Sequence, residues 1–82
     1  MEYTYTVIYE PADEGGYLAH VPALNGATTH GTTKAEARAM AKDMIQGYIE
    51  SLLKGGQAPP EERKGAYEGE RVTVKIRVSV TA

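Results

Sequence analysis

The stretch "GGYLAHVPALNGATTHGTTKAEA", residues Gly15 to Ala37, contains the signals that decide the fold. It begins with a glycine pair that favours a turn and continues into "YLAHV", residues 17–21, whose composition predicts a strand. Pro22 cannot donate a ladder hydrogen bond, so we expect this strand to end there or to lie on an edge. A tight turn at "NG" leads to a second short strand, "ATTHG", residues 27–31. The stretch therefore predicts two antiparallel strands that lead directly into a helix.

The helix begins at a capping box formed by Thr33 and Glu36. In this T-x-x-E motif the hydroxyl accepts from the N3 amide, and the carboxylate is expected to accept from the N-cap amide. Gly55 and Gly56 predict the end of the helix. Apolar residues recur between these ends at steps of three and four, which predicts one buried face. They are Ala37, Met40, Ala41, Met44, Ile45, Tyr48, Ile49 and Leu52.

Two more strands flank this unit. "EYTYTVIY", residues 2–9, alternates with a period of two and predicts the first strand, joined to the second by the turn "EPADEGG". The polar residues 57–70 are interpreted as a connecting loop, in which "PEERK" is compatible with one helical turn. "RVTVKIRVSV", residues 71–80, predicts a long last strand with one dry and one basic side. Its dry side consists of Val72, Val74, Ile76, Val78 and Val80.

The order of elements is β-β-β-α-β, which predicts a single α+β domain over residues 1–82. We expect the first three strands to form an antiparallel meander. A right-handed crossover through the helix would place the fourth strand parallel to the first, in the strand order 3-2-1-4. One helix covers one face of the sheet. The other face, with some of the Tyr and Thr residues of the first strand, is left for solvent or a second subunit.

Composition excludes several classes of function. The chain has no cysteine, which removes disulfides and thiolate chemistry and favours a cytoplasmic location. No segment has the length and hydrophobicity of a membrane span, and no signal peptide is recognisable. The net charge of −2 argues against a dedicated nucleic-acid-binding protein, because neutralising phosphates requires clustered Lys and Arg.

No catalytic, metal-binding or cofactor-binding residue is predicted. His20 and His30 are expected to be diagonal neighbours on one face, about 7–8 Å apart, too far for two ligands of one zinc ion. Gly26 and Gly31 precede a helix but lack the G-x-G-x-x-G and Walker patterns of phosphate-binding loops. The acidic residues cluster at a turn rather than at strand centres, where a metal-dependent nuclease would hold them.

The same stretch resembles the signature of the HicB family of bacterial and archaeal antitoxins. That signature reads G-Y-x-A-x-x-P-x-L-x-G, followed after a few residues by G-x-T-x-x-E-A at the start of a helix. The likeness extends over roughly residues 3–53. The matching positions are Gly16, Tyr17, Ala19, Pro22, Leu24, Gly26, Gly31, Thr33, Glu36 and Ala37.

The resemblance implies a partial ribonuclease H-like fold without catalytic activity. It also implies a partner, a small RNase toxin of the HicA type, whose active site the antitoxin covers. Because the chain ends directly after the last predicted strand, we expect no DNA-binding domain and no direct DNA binding. A homodimer or higher homo-oligomer is expected. The alternative is a self-associating structural or regulatory domain with another protein or a small ligand as partner and no toxin. The residues predicted to bind a partner are Tyr17, His20, Pro22, Leu24 and His30.

Overall fold

The computed structural model describes residues 1–77. The predicted positions Val78 and Val80 lie outside these residues. The elements are β1 (Glu2–Pro11), β2 (Tyr17–Val21), a 3-10 turn (Pro22–Leu24), β3 (Ala27–Gly31), α1 (Lys34–Lys54) and β4 (Glu70–Lys75). No helix in this part of the chain is long and apolar enough to cross a membrane. The interpretation of the segment after α1 as a connecting loop is confirmed, because residues 57–69 contain neither helix nor strand, and "PEERK" forms no helical turn.

The four strands form one sheet in the order β3-β2-β1-β4, as predicted, and the protein has an α+β fold. β2 and β3 are antiparallel neighbours, with Leu18 opposite His30 and His20 opposite Thr28. β4 pairs antiparallel with the first part of β1, from Val7 opposite Glu70 to Glu2 opposite Lys75. The predicted parallel fourth strand is therefore wrong.

The connection between α1 and β4 explains this direction. After α1, residues 55–69 run alongside the first half of β1, where the hydroxyl of Tyr5 donates to the Pro60 carbonyl (2.6 Å) and the Thr6 amide donates to Glu62 (2.7 Å). A Cβ built on Gly69 would lie 2.6 Å from the Val7 carbonyl oxygen, so the chain meets β1 at its middle. From there β4 can pair with residues 2–7 only by running antiparallel to them.

The hydrophobic core lies between α1 and one face of the sheet. On the helix, the fully buried residues are spaced by four: Ala37, Ala41, Ile45 and Ile49. Met40, predicted to be on the buried face, is 43% exposed, because this spacing makes the buried stripe narrow. The sheet and the 3-10 turn contribute Tyr5, Val7, Ala19, Val21, Leu24, Val72, Val74 and Ile76.

The predicted signals at both ends of α1 are present, with one difference. Thr33 Oγ1 accepts from the Glu36 amide at 3.1 Å, as expected. The Glu36 carboxylate, however, accepts from the amide and hydroxyl of Thr32, at 3.0 and 3.1 Å, rather than from the N-cap amide. These bonds hold the pKa of Glu36 below its ordinary value. At the other end Gly56 has φ +74°, and the amide of Gln57 bonds back to the Leu52 carbonyl at 2.9 Å, which is a Schellman motif.

Gly31 sets the distance between β3 and α1. A Cβ built on Gly31 would lie 2.2 Å from the amide nitrogen of Ala37 and 2.6 Å from its Cα. The first turn of the helix can therefore pack on the end of the strand only if this residue has no side chain. Gly47, on the exposed side of α1, is different: a Cβ there meets no atom within 4 Å.

Candidate functional site

The candidate site is the face of the sheet that α1 does not cover. Side chains point alternately to the two faces of the sheet along each strand. Residues that lie opposite each other on neighbouring strands therefore form rows across this face. One row joins Thr28, His20 and Ile8, and the next joins His30, Leu18 and Glu10. We call these six residues the open face. Ile8, Leu18 and His20 are partly exposed, whereas Glu10, Thr28 and His30 are exposed.

The tyrosines of β1 lie on the opposite side of the sheet. Tyr5 is buried in the core, and Tyr3 and Tyr9 pack against it. The prediction that the uncovered face carries some of these tyrosines is wrong. Alternation puts Tyr3, Tyr5 and Tyr9 together on one side, and this is the side that α1 covers.

Hydrogen bonds determine which nitrogen of His20 carries the proton in the neutral ring. The Thr28 hydroxyl donates to the Gly26 carbonyl at 2.9 Å, because a carbonyl oxygen can only accept. The Thr28 oxygen therefore accepts from His20 Nδ1, at 2.8 Å. The neutral His20 ring then has its lone pair on Nε2, which lies 4.0 Å from Glu10 Oε1.

In the neutral ring of His30 the proton lies on the other nitrogen, Nε2. Its Nε2 lies 3.0 Å from the Gly15 carbonyl oxygen and must donate to it, which places the proton on Nε2. The register confirms that His20 and His30 are diagonal neighbours. Across residues 1–77, no three His, Cys, Asp or Glu side chains form a cluster that could hold a metal ion.

The open face is acidic at the end next to the β1–β2 hairpin. The hairpin closes through a 3.0 Å bond between the Ala12 amide and the Gly16 carbonyl. Asp13 and Glu14 are exposed at its tip. They line a shallow depression of about 450 Å³ together with Glu10, Pro11, Ala12, Leu18 and His30. This end of the face therefore suits a positively charged surface.

The structure separates the five residues that were predicted to bind a partner. His20 and His30 lie on the open face, whereas Tyr17 lies on the helix side and packs against the core. Pro22 begins the 3-10 turn and is partly exposed. Leu24 is fully buried, so the expectation that it is exposed is wrong: the 3-10 turn directs its side chain into the core.

Sequence reasoning missed Leu18, Ile8 and Glu10 as members of the open face. The sequence does contain the signal for Leu18, because the alternation of side chains places it on the same side of β2 as His20. The contribution of β1 depends on its register with β2, which pairs Ile8 with His20 and Glu10 with Leu18.

A second polar cluster joins β1, α1 and β4 on the helix side. The Tyr9 hydroxyl donates to Glu70 Oε1 at 2.6 Å, and Arg38 Nε donates to the same oxygen at 3.0 Å. Lys34 Nζ lies 5.1 Å from the centre of the Tyr9 ring. Burial and the bond to Glu70 raise the pKa of Tyr9 well above its ordinary value, and the same bond lowers the pKa of Glu70. The cluster fastens the beginning of α1 to the sheet.

Three curated relatives share much of the chain's length. The UPF0150 protein Ta0767 of Thermoplasma acidophilum is 45% identical over 58 residues, which cover 71% of this chain and 84% of that protein. Two Synechocystis proteins, UPF0150 protein ssr1765 and UPF0150 protein ssl0738, are 42% and 46% identical over 60 and 48 residues. These alignments cover 73% and 58% of this chain, and 76% and 67% of the two relatives. No family model matches the chain. On the identity and coverage of these relatives, the chain belongs to the UPF0150 family.

Proposed function

We propose that this protein is a non-catalytic, HicB-like antitoxin that neutralises a small HicA-type RNase by covering its active site. The resemblance of residues 15–37 to the HicB signature supports this proposal. In the structure this stretch supplies β2, β3 and the start of α1, and it presents His20 and His30 on an exposed sheet face. The resemblance further implies a partial ribonuclease H-like fold, and the proposal places the protein in the cytoplasm with the toxin's RNA substrate.

The observation that carries the proposal is the acidic end of the open face. An RNase must attract the phosphates of its substrate, so its active site is bordered by positive charge. Glu10, Asp13 and Glu14 provide complementary negative charge, and Leu18 provides apolar contact area beside them. Such a surface inhibits by excluding RNA from the active site and needs no chemistry of its own.

Co-expression with a HicA-type toxin, followed by affinity purification and an RNA cleavage assay, tests this proposal. We expect the two proteins to co-purify and RNA cleavage to be inhibited. Leu18→Lys should lose inhibition by at least tenfold while its circular dichroism stays that of the parent protein. Met40→Lys is the matched control, because it places the same charge on an exposed apolar residue of α1. Failure to form a complex contradicts the proposal, and equal loss in both variants contradicts the assignment to the open face.

A self-associating domain is the second candidate, and the partial exposure of Ile8 and Leu18 favours it. Light scattering separates the two functions. A stable homo-oligomer that Leu18→Lys dissociates, together with no inhibition of the toxin, would favour self-association.

A further inference from the structure

When the His20 ring is neutral, two hydrogen-bond acceptors face each other on the open face. The neutral His20 ring has its lone pair on Nε2, because Nδ1 donates to Thr28. Within residues 1–77, the nearest carboxylate oxygen is Glu10 Oε1, and it accepts as well. Their separation of 4.0 Å is too long for a direct hydrogen bond. A cation between them would satisfy both atoms.

We propose that His20 Nε2 and the Glu10 carboxylate form half of a binding site for a divalent transition metal ion, such as Zn²⁺, and that the same pair from a second copy forms the other half. Neutral imidazole and carboxylate are both ordinary zinc ligands. Ligands at about 2.0–2.1 Å in a tetrahedral site lie about 3.3–3.4 Å apart. Glu10 therefore needs to move by about 0.6–0.7 Å, and its side chain is 62% exposed and free to do so.

The surroundings of His20 match those of a histidine that binds a metal. Such a histidine usually donates its other ring N–H to a fixed acceptor, which orients the ring and presents the second nitrogen. Here that acceptor is Thr28 Oγ1, which the Gly26 carbonyl holds in turn. The two bonds come from β3 and the turn before it, so the ring is already oriented without the ion.

The second copy follows from ligand number and charge. Across residues 1–77 no third ligand joins His20 and Glu10, so one chain fills two positions of a four-coordinate shell. A two-fold axis through the ion repeats the same pair and completes the shell. Two Glu10 carboxylates brought together in this way would repel each other, and the charge of one divalent ion balances them.

His30 provides a matched control on the same face. Its Nε2 donates to the Gly15 carbonyl at 3.0 Å, and Leu18 rather than a carboxylate lies opposite it in the register. Replacing His30 therefore removes one imidazole from the open face without touching the proposed ligands. The metal-bridged dimer would cover the same open face that is proposed to bind a toxin, so the two complexes exclude each other, and the inference itself does not depend on any toxin.

Cobalt titration and sedimentation velocity test the inference on the full chain. We expect Co²⁺ to bind at half an ion per chain with the visible absorption of a tetrahedral site. Zn²⁺ should produce a species twice the mass of the EDTA-treated protein. His20→Gln should abolish both effects, Glu10→Gln should weaken metal binding at least tenfold, and His30→Gln should bind as the parent protein does. Circular dichroism checks that each variant is folded.

Three results would overturn the inference. One is that no Co²⁺ binds at a metal concentration of about 1 mM, which corresponds to a weak, millimolar Kd. Another is one ion per chain without association, which would exclude the second copy. The third is equal loss of binding in His20→Gln and His30→Gln, which would show only general attraction of metal to surface histidines.

Discussion

Glu62 should contribute more to stability than any other charged residue in the connection between α1 and β4. Its side chain is only 1% exposed, although it lies in a segment rich in charged residues. The carboxylate accepts from the amide of Thr6 at 2.7 Å and from its hydroxyl at 2.6 Å. The register of β1 with β2 would place Pro22 opposite Thr6, where β2 has already ended. Glu62 therefore replaces the missing strand as the partner of a buried amide.

The cost of Glu62→Ala can be estimated from these contacts. Each hydrogen bond to a charged group contributes about 1.5–3 kcal/mol, and the Thr6 amide, in a residue that is 1% exposed, would lose its partner. The variant no longer buries a carboxylate, which offsets part of this loss. Arg71 also donates to Glu62 at 3.3 Å, but its side chain is 43% exposed, so that ion pair contributes at most about 0.5 kcal/mol. We expect a net loss of about 2–4 kcal/mol.

Urea denaturation followed by circular dichroism measures this loss. A domain of this length has a total stability of about 4–12 kcal/mol, so the change should also lower the Tm by about 10–25 °C. Glu61→Ala is the control, because it removes an exposed carboxylate from the neighbouring position. A double-mutant cycle with Thr6→Val should show strong coupling to Glu62. If the free energies of unfolding of Glu62→Ala and Glu61→Ala differ by less than about 0.5 kcal/mol, the assigned role of Glu62 is wrong.

Three further outcomes are expected from the same denaturation assay. Gly31→Ala should destabilise the protein by about 3 kcal/mol or more, because the added Cβ would overlap the backbone of α1. Gly47→Ala should stabilise it by about 1 kcal/mol, because the added Cβ meets no atom and alanine favours the helix. Similar effects at both sites would contradict the packing argument. Because the pKa of Glu70 is lowered in the folded protein, its ionised carboxylate stabilises the fold above about pH 5, and this stabilisation is lost as the pH falls through the pKa of the folded protein. Because the pKa of Tyr9 is raised, the free energy of unfolding decreases as the pH rises above about 10. Tyr9→Phe should reduce both dependences, and unchanged pH profiles would show that the cluster does not couple ionisation to folding. Leu24→Asp should abolish the cooperative unfolding transition, because it places a charge in the core. If the variant still unfolds cooperatively, Leu24 lies on the surface and its assignment to the core is wrong.

Much of the fold could be predicted because its signals are local. Pro22 ends β2 through its missing amide hydrogen, and the Thr33 hydroxyl caps α1 through an amide three residues away. The rows of the open face were predictable for β2 and β3 because the short connection between them defines the register. The burial of Leu24 was not predictable, since an apolar residue in a turn is found both in the core and on the surface.

The sequence by itself determined the order of the elements, the limits of β2 and β3, the capped start of α1 and the alternation of side chains along each strand. These features follow from interactions over a few residues, which the chain makes wherever it folds. Only the tertiary structure decided the direction of β4, the burial of Glu62, and the meeting of Glu10 with His20. Each of these depends on where residues distant in the sequence pack, and residues 55–69 contain no local signal for the path they take along β1.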